Sequence, residues 1–378
     1  MNEQRSQMLA NFRVEVPSWG FSQSGTRFHA FEIPGQARTL EDRIDDAGLV
    51  QQLTGAVSAV ALHIPWDETS DYQALQERVE DVGLRVGAIN PNLFQEEIYR
   101  FGSLASSDPE ARAVAVSHCL ECVEIMRLTD SKGLSIWLPD GSNYPGQMDF
   151  AAAFGRTVES LQTVYEGMDA DQTMLIEYKF FEPAFYHTVL SDWGTAMLAA
   201  QDVGPNAKIL VDLGHHPMGT NIEAIVALVS KYGRLGGFHF NSRKYADDDL
   251  TTGSLNPYEL FLIFVELNKF YNLAKQPGDI CLVLDQSHNV KCKLEATVQS
   301  VTNLQLMYAK SLLVDYDKLK AAQESRDAVG CEELLKDAFD TDTRPWLQEI
   351  KRQQGLPEDP LQYFRESGLK ERRIEARR

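Results

Sequence analysis

The sequence predicts an α/β chain built as a (β/α)8 TIM barrel with a C-terminal helical extension, and three observations predict it. Short apolar, β-rich runs alternate eight times with longer segments of helical period. No Gly-x-Gly-x-x-Gly follows a strand candidate and no P-loop occurs, which argues against a doubly wound nucleotide-binding sheet. The alternation stops near Leu313, and the rest is helical and charge-rich. A barrel domain over 12–313 and an extension over 314–378 follow.

In chain order the strand candidates are FRVEVPSWG from Phe12, AVSAVALHIPW from Ala56, LRVGAINPN from Leu84 and GLSIWLPDG from Gly133. TMLIEYK from Thr173, AKILVDLGHH from Ala207, LGGFHFN from Leu235 and ICLVLDQS from Ile280 complete the set. The clearest helices are EARAVAVSHCLECVEIM after the third strand and DFAAAFGRTVESLQTVYEGM after the fourth. NIEAIVALVSKYG follows the sixth and PYELFLIFVELNKF the seventh. Several end at Gly, as helix C-termini tend to. The basic GLKERRIEARR closing the chain reads as a solvated helix end or a subunit contact.

The 378 residues suffice to bury a full core, so a metal here is expected to serve chemistry rather than hold the fold. With 36 Lys plus Arg against 55 Asp plus Glu, the net charge of −19 disfavours nucleic acid and anionic membranes as partners and favours cations and neutral ligands. The polar start and the lack of an 18-residue apolar run imply no signal peptide and no membrane span, hence a cytoplasmic protein. The five cysteines are scattered, and Cys119 and Cys122 sit in a helical run with no second pair to complete a zinc site, so they read as structural thiols.

Barrel chemistry collects at the C-terminal strand ends, where eight loops converge on one mouth. Strands five to eight end in Glu177 and Lys179, Asp212 and His215, His239, and Asp285. Glu177, Asp212, His239 and Asp285 each follow apolar residues, where an unpaired charge is costly unless it is paired or binds a metal. Three carboxylates and an imidazole suit Mn2+, Mg2+, Co2+ or Zn2+. After strand seven, RKYADDDLTTG offers Asp247 and Asp249, which with His215 would make a second site sharing Asp212. Each signal has a plainer rival. A lone strand-end Asp caps a helix or hydrogen-bonds within its loop, an Asp run forms a solvated loop, Lys179 could pair with Glu177, and His63, Trp19, Phe94 and Trp137 could be barrel core.

The strings VPSWG, GTRF, LHIPWD, DGSNYPGQ, EPAFY, DWGT, VDLGHH, TNIE, LGGFHFN, KYADDDL and LDQSHNV, spread from about Val16 to Leu313, give the chain a close resemblance to the L-rhamnose isomerases, in the branch that also accepts other aldoses. These belong to the xylose-isomerase-like barrels. The resemblance implies two divalent ions per subunit, most often Mn2+, and interconversion of L-rhamnose with L-rhamnulose. It makes Glu177, Asp212, His239 and Asp285 ligands of a structural ion, and His215, Asp247, Asp249 and bridging Asp212 ligands of a catalytic one. Lys179 would stand near the oxygen on carbon one, His63 near the ring oxygen, and Ser287 near the substrate. Trp19, Phe94 and Trp137 would form an aromatic wall, and Phe28 would reach a neighbouring subunit's site in a homotetramer.

Two departures from the family stand out: relatives carry a longer N-terminal helical segment, and Tyr178, Ser242 and Arg243 are atypical near the mouth. The reaction expected is hydrogen transfer between carbons one and two, by hydride shift or through an enediol. The nearest rival is a ketose 3-epimerase, which uses one ion flanked by two glutamates, and a non-catalytic sugar-binding barrel is a more distant one.

Overall fold

The structure is a computed structural model that describes residues 3–23, 31–182, 186–245, 247–271, 273, 280–288 and 290–377. Among these residues eight parallel strands close into a barrel: β1 (Val14–Pro17), β2 (Val57–Ile64), β3 (Arg85–Pro91), β4 (Gly133–Trp137), β5 (Thr173–Glu177), β6 (Ala207–Asp212), β7 (Leu235–Phe240) and β8 (Cys281–Leu284). Each pairs with its sequence neighbours, and β1 closes on β8 through Glu15 and Val283. Parallel strands are covered on both sides, which is why these segments read as nearly unbroken apolar runs.

After a short α1 (Glu3–Ala10), a helix follows each strand: α2 (Leu40–Thr54), α3 (Tyr72–Asp81), α4 (Pro109–Thr129), α5 (Phe150–Glu166), α6 (Trp193–Val203), α7 (Ile222–Lys231), α8 (Pro257–Phe270) and α9 (Lys293–Ser311). Their starts are set by local chemistry. Thr39 and Asp42 form a capping box on α2, and Asp149, Asp192 and Asn221 accept backbone N–H groups at the starts of α5, α6 and α7. Cys119 and Cys122 are buried, unbridged, in α4, and burial pushes the Cys119 thiol up to about 12, as expected of inert thiols.

The extension forms α10 (Tyr316–Ser325), α11 (Ala328–Asp340), α12 (Arg344–Gln353), α13 (Pro360–Glu366) and α14 (Leu369–Ala376). Trp346, Leu347, Ile350 and Phe364 join the barrel's own core. Lys351, 1% exposed, donates to Thr54 O at 2.7 Å and Gln305 Oε1 at 3.1 Å, pinning α12 beneath α2 and α9. The basic tail is not simply a solvated end: the Arg377 guanidinium clasps Asp46 through two hydrogen bonds of 2.7 and 3.0 Å and meets Asp42 and Gly35 O.

Candidate metal centre

Strands β5 to β8 deliver four donors to one point. Ligand atoms of Glu177, Asp212, His239 and Asp285 all lie within 4.8 Å of one another. Nδ1 of His239 stands 3.2 Å from Glu177 Oε1, 3.5 Å from Asp285 Oδ2 and 3.7 Å from Asp212 Oδ2. The helix-cap alternative fails for both aspartates, because Asn221 caps α7 and Cys292 occupies that position on α9, whereas Asp212 does hydrogen-bond within its loop, its Oδ1 accepting the Gly214 N–H at 2.6 Å.

Beside this set, His215 Nε2 lies 3.0 Å from Asp247 Oδ1 and 4.0 Å from Asp212 Oδ2. His215 Nδ1 faces the Tyr178 carbonyl at 3.2 Å, which favours the tautomer that leaves Nε2 free to face the cavity. Asp247 and Asp249 both hold left-handed backbone, with φ of 53° and 40°. Such conformations are costly for residues other than glycine and cluster at functional sites. Reciprocal 2.8 Å hydrogen bonds between Ser242 and Leu250 pinch the base of this aspartate loop. Its side chains are therefore not those of a freely solvated loop, and Asp247 is 15% exposed.

Lys179, 1% exposed, pairs with Asp247 and, at 3.5 Å, with Glu182, rather than with Glu177 as one sequence alternative has it. Among the described residues Asp247 and Glu182 share the Lys179 ammonium, while Asp247, Asp285 and Asp212 crowd around Asp249. Burial, then Asp247, Asp285 and Asp212, hold the Asp249 carboxyl well above the usual carboxylate range. Burial disfavours protonated His215 and His239, yet the surrounding carboxylates outweigh it and raise both imidazoles well above their ordinary value.

These donors fit divalent ions. Asp212 Oδ2 is buried and accepts no hydrogen bond among the described residues, and hard oxygen donors with imidazole suit Mn2+, Mg2+, Co2+ or Zn2+. Glu177, Asp212, His239 and Asp285 could hold one ion, and His215, Asp247 and Asp249 flank a second position.

A cavity of about 110 Å³ opens above the first set. Trp19, His63, Phe94, Trp137 and Lys179 all line it, together with Trp66, Asn90 and Ser135, which sequence reasoning did not single out. His63 stacks on Trp66 with centroids 3.8 Å apart, and its backbone N–H donates to the buried Asp67 at 2.8 Å. Burial, aided by His118, pushes His63 down to about 3, so its imidazole is neutral at physiological pH. Trp19 Nε1 donates to Asp285 Oδ1 at 3.0 Å, so part of the aromatic wall also holds a carboxylate of the first set. Ser287 is not among the cavity's lining residues; its Oγ accepts from Lys293 Nζ at 3.2 Å. Phe28 lies outside the described residues.

The chain matches no protein-family model. It is 46% identical to a protein of Rhizobium meliloti named as a probable sugar isomerase, over 96% of this chain and 86% of that protein. A protein of Mesorhizobium japonicum with the same description is 43% identical over 96% and 85%. Among solved structures, an L-ribulose 3-epimerase superposes with a TM-score of 0.52 at 18% identity, covering 86% of this chain and 97% of that one. A D-psicose 3-epimerase from Clostridium cellulolyticum, solved with D-tagatose, superposes with 0.52 at 13% identity, covering 80% and 97%. At such identities these two structures speak for the fold alone.

Proposed function

Because the chain belongs to the family of these two rhizobial proteins named as probable sugar isomerases, we propose that it is a two-ion aldose–ketose isomerase whose substrate is L-rhamnose, with D-allose and other aldoses as further candidates. The observation that carries this reading is the second cluster: Asp247 and Asp249, held in left-handed backbone and joined by His215 and Lys179, beside a complete four-donor set. An epimerase working with one ion and two glutamates has no use for it, and the strand-eight donor here is Asp285.

In this reading Trp19, Phe94 and Trp137 pack against the apolar side of the sugar, with Trp66 and Asn90 completing the wall. The neutral His63 imidazole accepts a hydrogen bond from a sugar hydroxyl as the ring opens. The Lys179 ammonium, oriented by Asp247 and Glu182, stabilises negative charge developing on the oxygen at carbon one. Bound divalent ions supply Lewis-acid polarisation of the oxygens on carbons one and two. Hydrogen leaving carbon two is delivered to carbon one, and the proton of the carbon-two hydroxyl passes to the oxygen on carbon one, which completes the exchange of aldose for ketose. Phe28 remains a candidate for a homotetramer contact.

The test is a substrate panel: protein stripped of metal, reloaded with Mn2+, and incubated with L-rhamnose, D-allose, L-mannose, D-psicose and D-tagatose. Aldose-to-ketose conversion that depends on metal supports the isomerase. Epimerisation of the ketoses without any aldose conversion rules it out.

A further inference from the structure

Immediately after β7, Asn241 is 2% exposed and places its side-chain amide between the two donor sets. Its Nδ2 donates to Asp212 Oδ1 at 3.0 Å and to Asp249 Oδ1 at 3.3 Å. As metal ligands both aspartates are ionised and only accept, so the amide presents its nitrogen to both, and its two hydrogens are divided between one aspartate of each set. Asp212 Oδ1 also receives the Gly214 backbone N–H at 2.6 Å. That leaves Oδ2 as the unsatisfied oxygen, 3.7 Å from His239 Nδ1 and 4.0 Å from His215 Nε2. The crowding is tight: a Cβ on Gly214 would come within 3.1 Å of Asn241 Oδ1 and 3.2 Å of Asp212 Oδ1.

We infer that Asn241 is a positioning residue that couples the two donor sets, turning Asp212 Oδ2 toward both ions and holding Asp249 for the second. The inference rests on the two-ion reading above. The two aspartates depend on it unequally. Asp212 keeps the Gly214 N–H if Asn241 is lost, whereas among the described residues Asp249 accepts no hydrogen bond other than that from Asn241. The second ion should therefore suffer more than the first.

The experiment titrates the metal-free full chain with Mn2+ by calorimetry, and follows the spin-coupled signal of neighbouring Mn2+ ions by electron paramagnetic resonance, in the wild type, N241A and the similarly sized N241L. The wild type should take two ions per chain. Both variants should bind the first within about threefold of wild type, bind the second about 10–100-fold more weakly, and lose the coupled signal at the loading where the wild type shows it. Wild-type affinity for the second ion in a variant overturns the inference, and so does equal weakening of both ions, which marks a general packing role. A variant whose first ion binds normally has folded, so misfolding cannot imitate the expected result, and N241L guards against collapse of the small site left by alanine. A wild type that takes only one ion defeats the two-ion reading itself, and this inference with it.

Discussion

Replacing Trp19 with phenylalanine removes one N–H from the metal centre while keeping an aromatic ring in the wall. In the wild type that indole N–H donates to Asp285 Oδ1 at 3.0 Å, and the ring packs beside Ala61, Ala88 and Val283. A hydrogen bond to a charged group contributes about 1.5–3 kcal/mol, so its loss should weaken the first ion by a factor of roughly 10–150. A pH signature accompanies the loss. Burial, with Asp212 and Glu177 adding to it and His239 and Trp19 opposing it, pushes the Asp285 carboxyl up to about 6. Deleting the donor raises it further. Metal binding needs the carboxylate, so protons compete at and below its pKa, and in W19F that competition must begin at a higher pH. The assay is Mn2+ calorimetry on both proteins between pH 5.5 and 8, with thermal unfolding to verify the fold. An affinity within threefold of wild type at pH 7, with the same pH slope, would refute the assignment of Trp19 as an outer support of the first site.

Metal-free protein should lose thermal stability as pH rises from about 6.5 into the alkaline range. His215 and His239 are raised above their ordinary value, so their contribution is complete below the unfolded pKa and lost on passing the folded one. Added Mn2+ should reverse that trend, because ions bind neutral imidazoles, and melting curves across pH with and without metal check both signs. K179M leaves Asp247 and Glu182 without their buried ammonium, costing about 3–5 kcal/mol of stability in urea unfolding. In protein that remains folded, kcat should fall about 10²–10³-fold, a loss like that of other groups that stabilise transition-state charge. R377A removes two close hydrogen bonds from Asp46, which is 1% exposed and keeps Arg373 at 3.4 Å, so it should cost about 1.5–3 kcal/mol, and R377K should recover only part of it because an ammonium cannot clasp both oxygens. Urea unfolding of the two variants compares them directly.

The barrel was legible because each buried parallel strand is an apolar run, and the first donor set because four such runs in succession end in a carboxylate or imidazole. The second set was more ambiguous. Consecutive aspartates read equally as a solvated loop, and what distinguishes them is left-handed backbone and the Ser242–Leu250 pinch, neither of which has a composition signal. Trp66 and Asn90 carry no site signal in the second and third strand segments, because a lone aromatic or amide there is equally at home in a core. The clasp of Arg377 on Asp46 spans 331 positions, and no local pattern in the basic tail announces it. The short ribbon formed by Phe181–Glu182 and Tyr186–His187, which follows Lys179, carried no strand signal in so brief a stretch.

The most direct test of the account is to titrate metal-free protein with Mn2+ while following ketose formation from L-rhamnose. Ketose should appear only with metal, and its rate should rise until two ions per chain are bound and then level off. A full rate at one ion per chain, or no ketose at any loading, would contradict the two-ion isomerase read from Glu177, Asp212, His239 and Asp285 beside His215, Asp247 and Asp249.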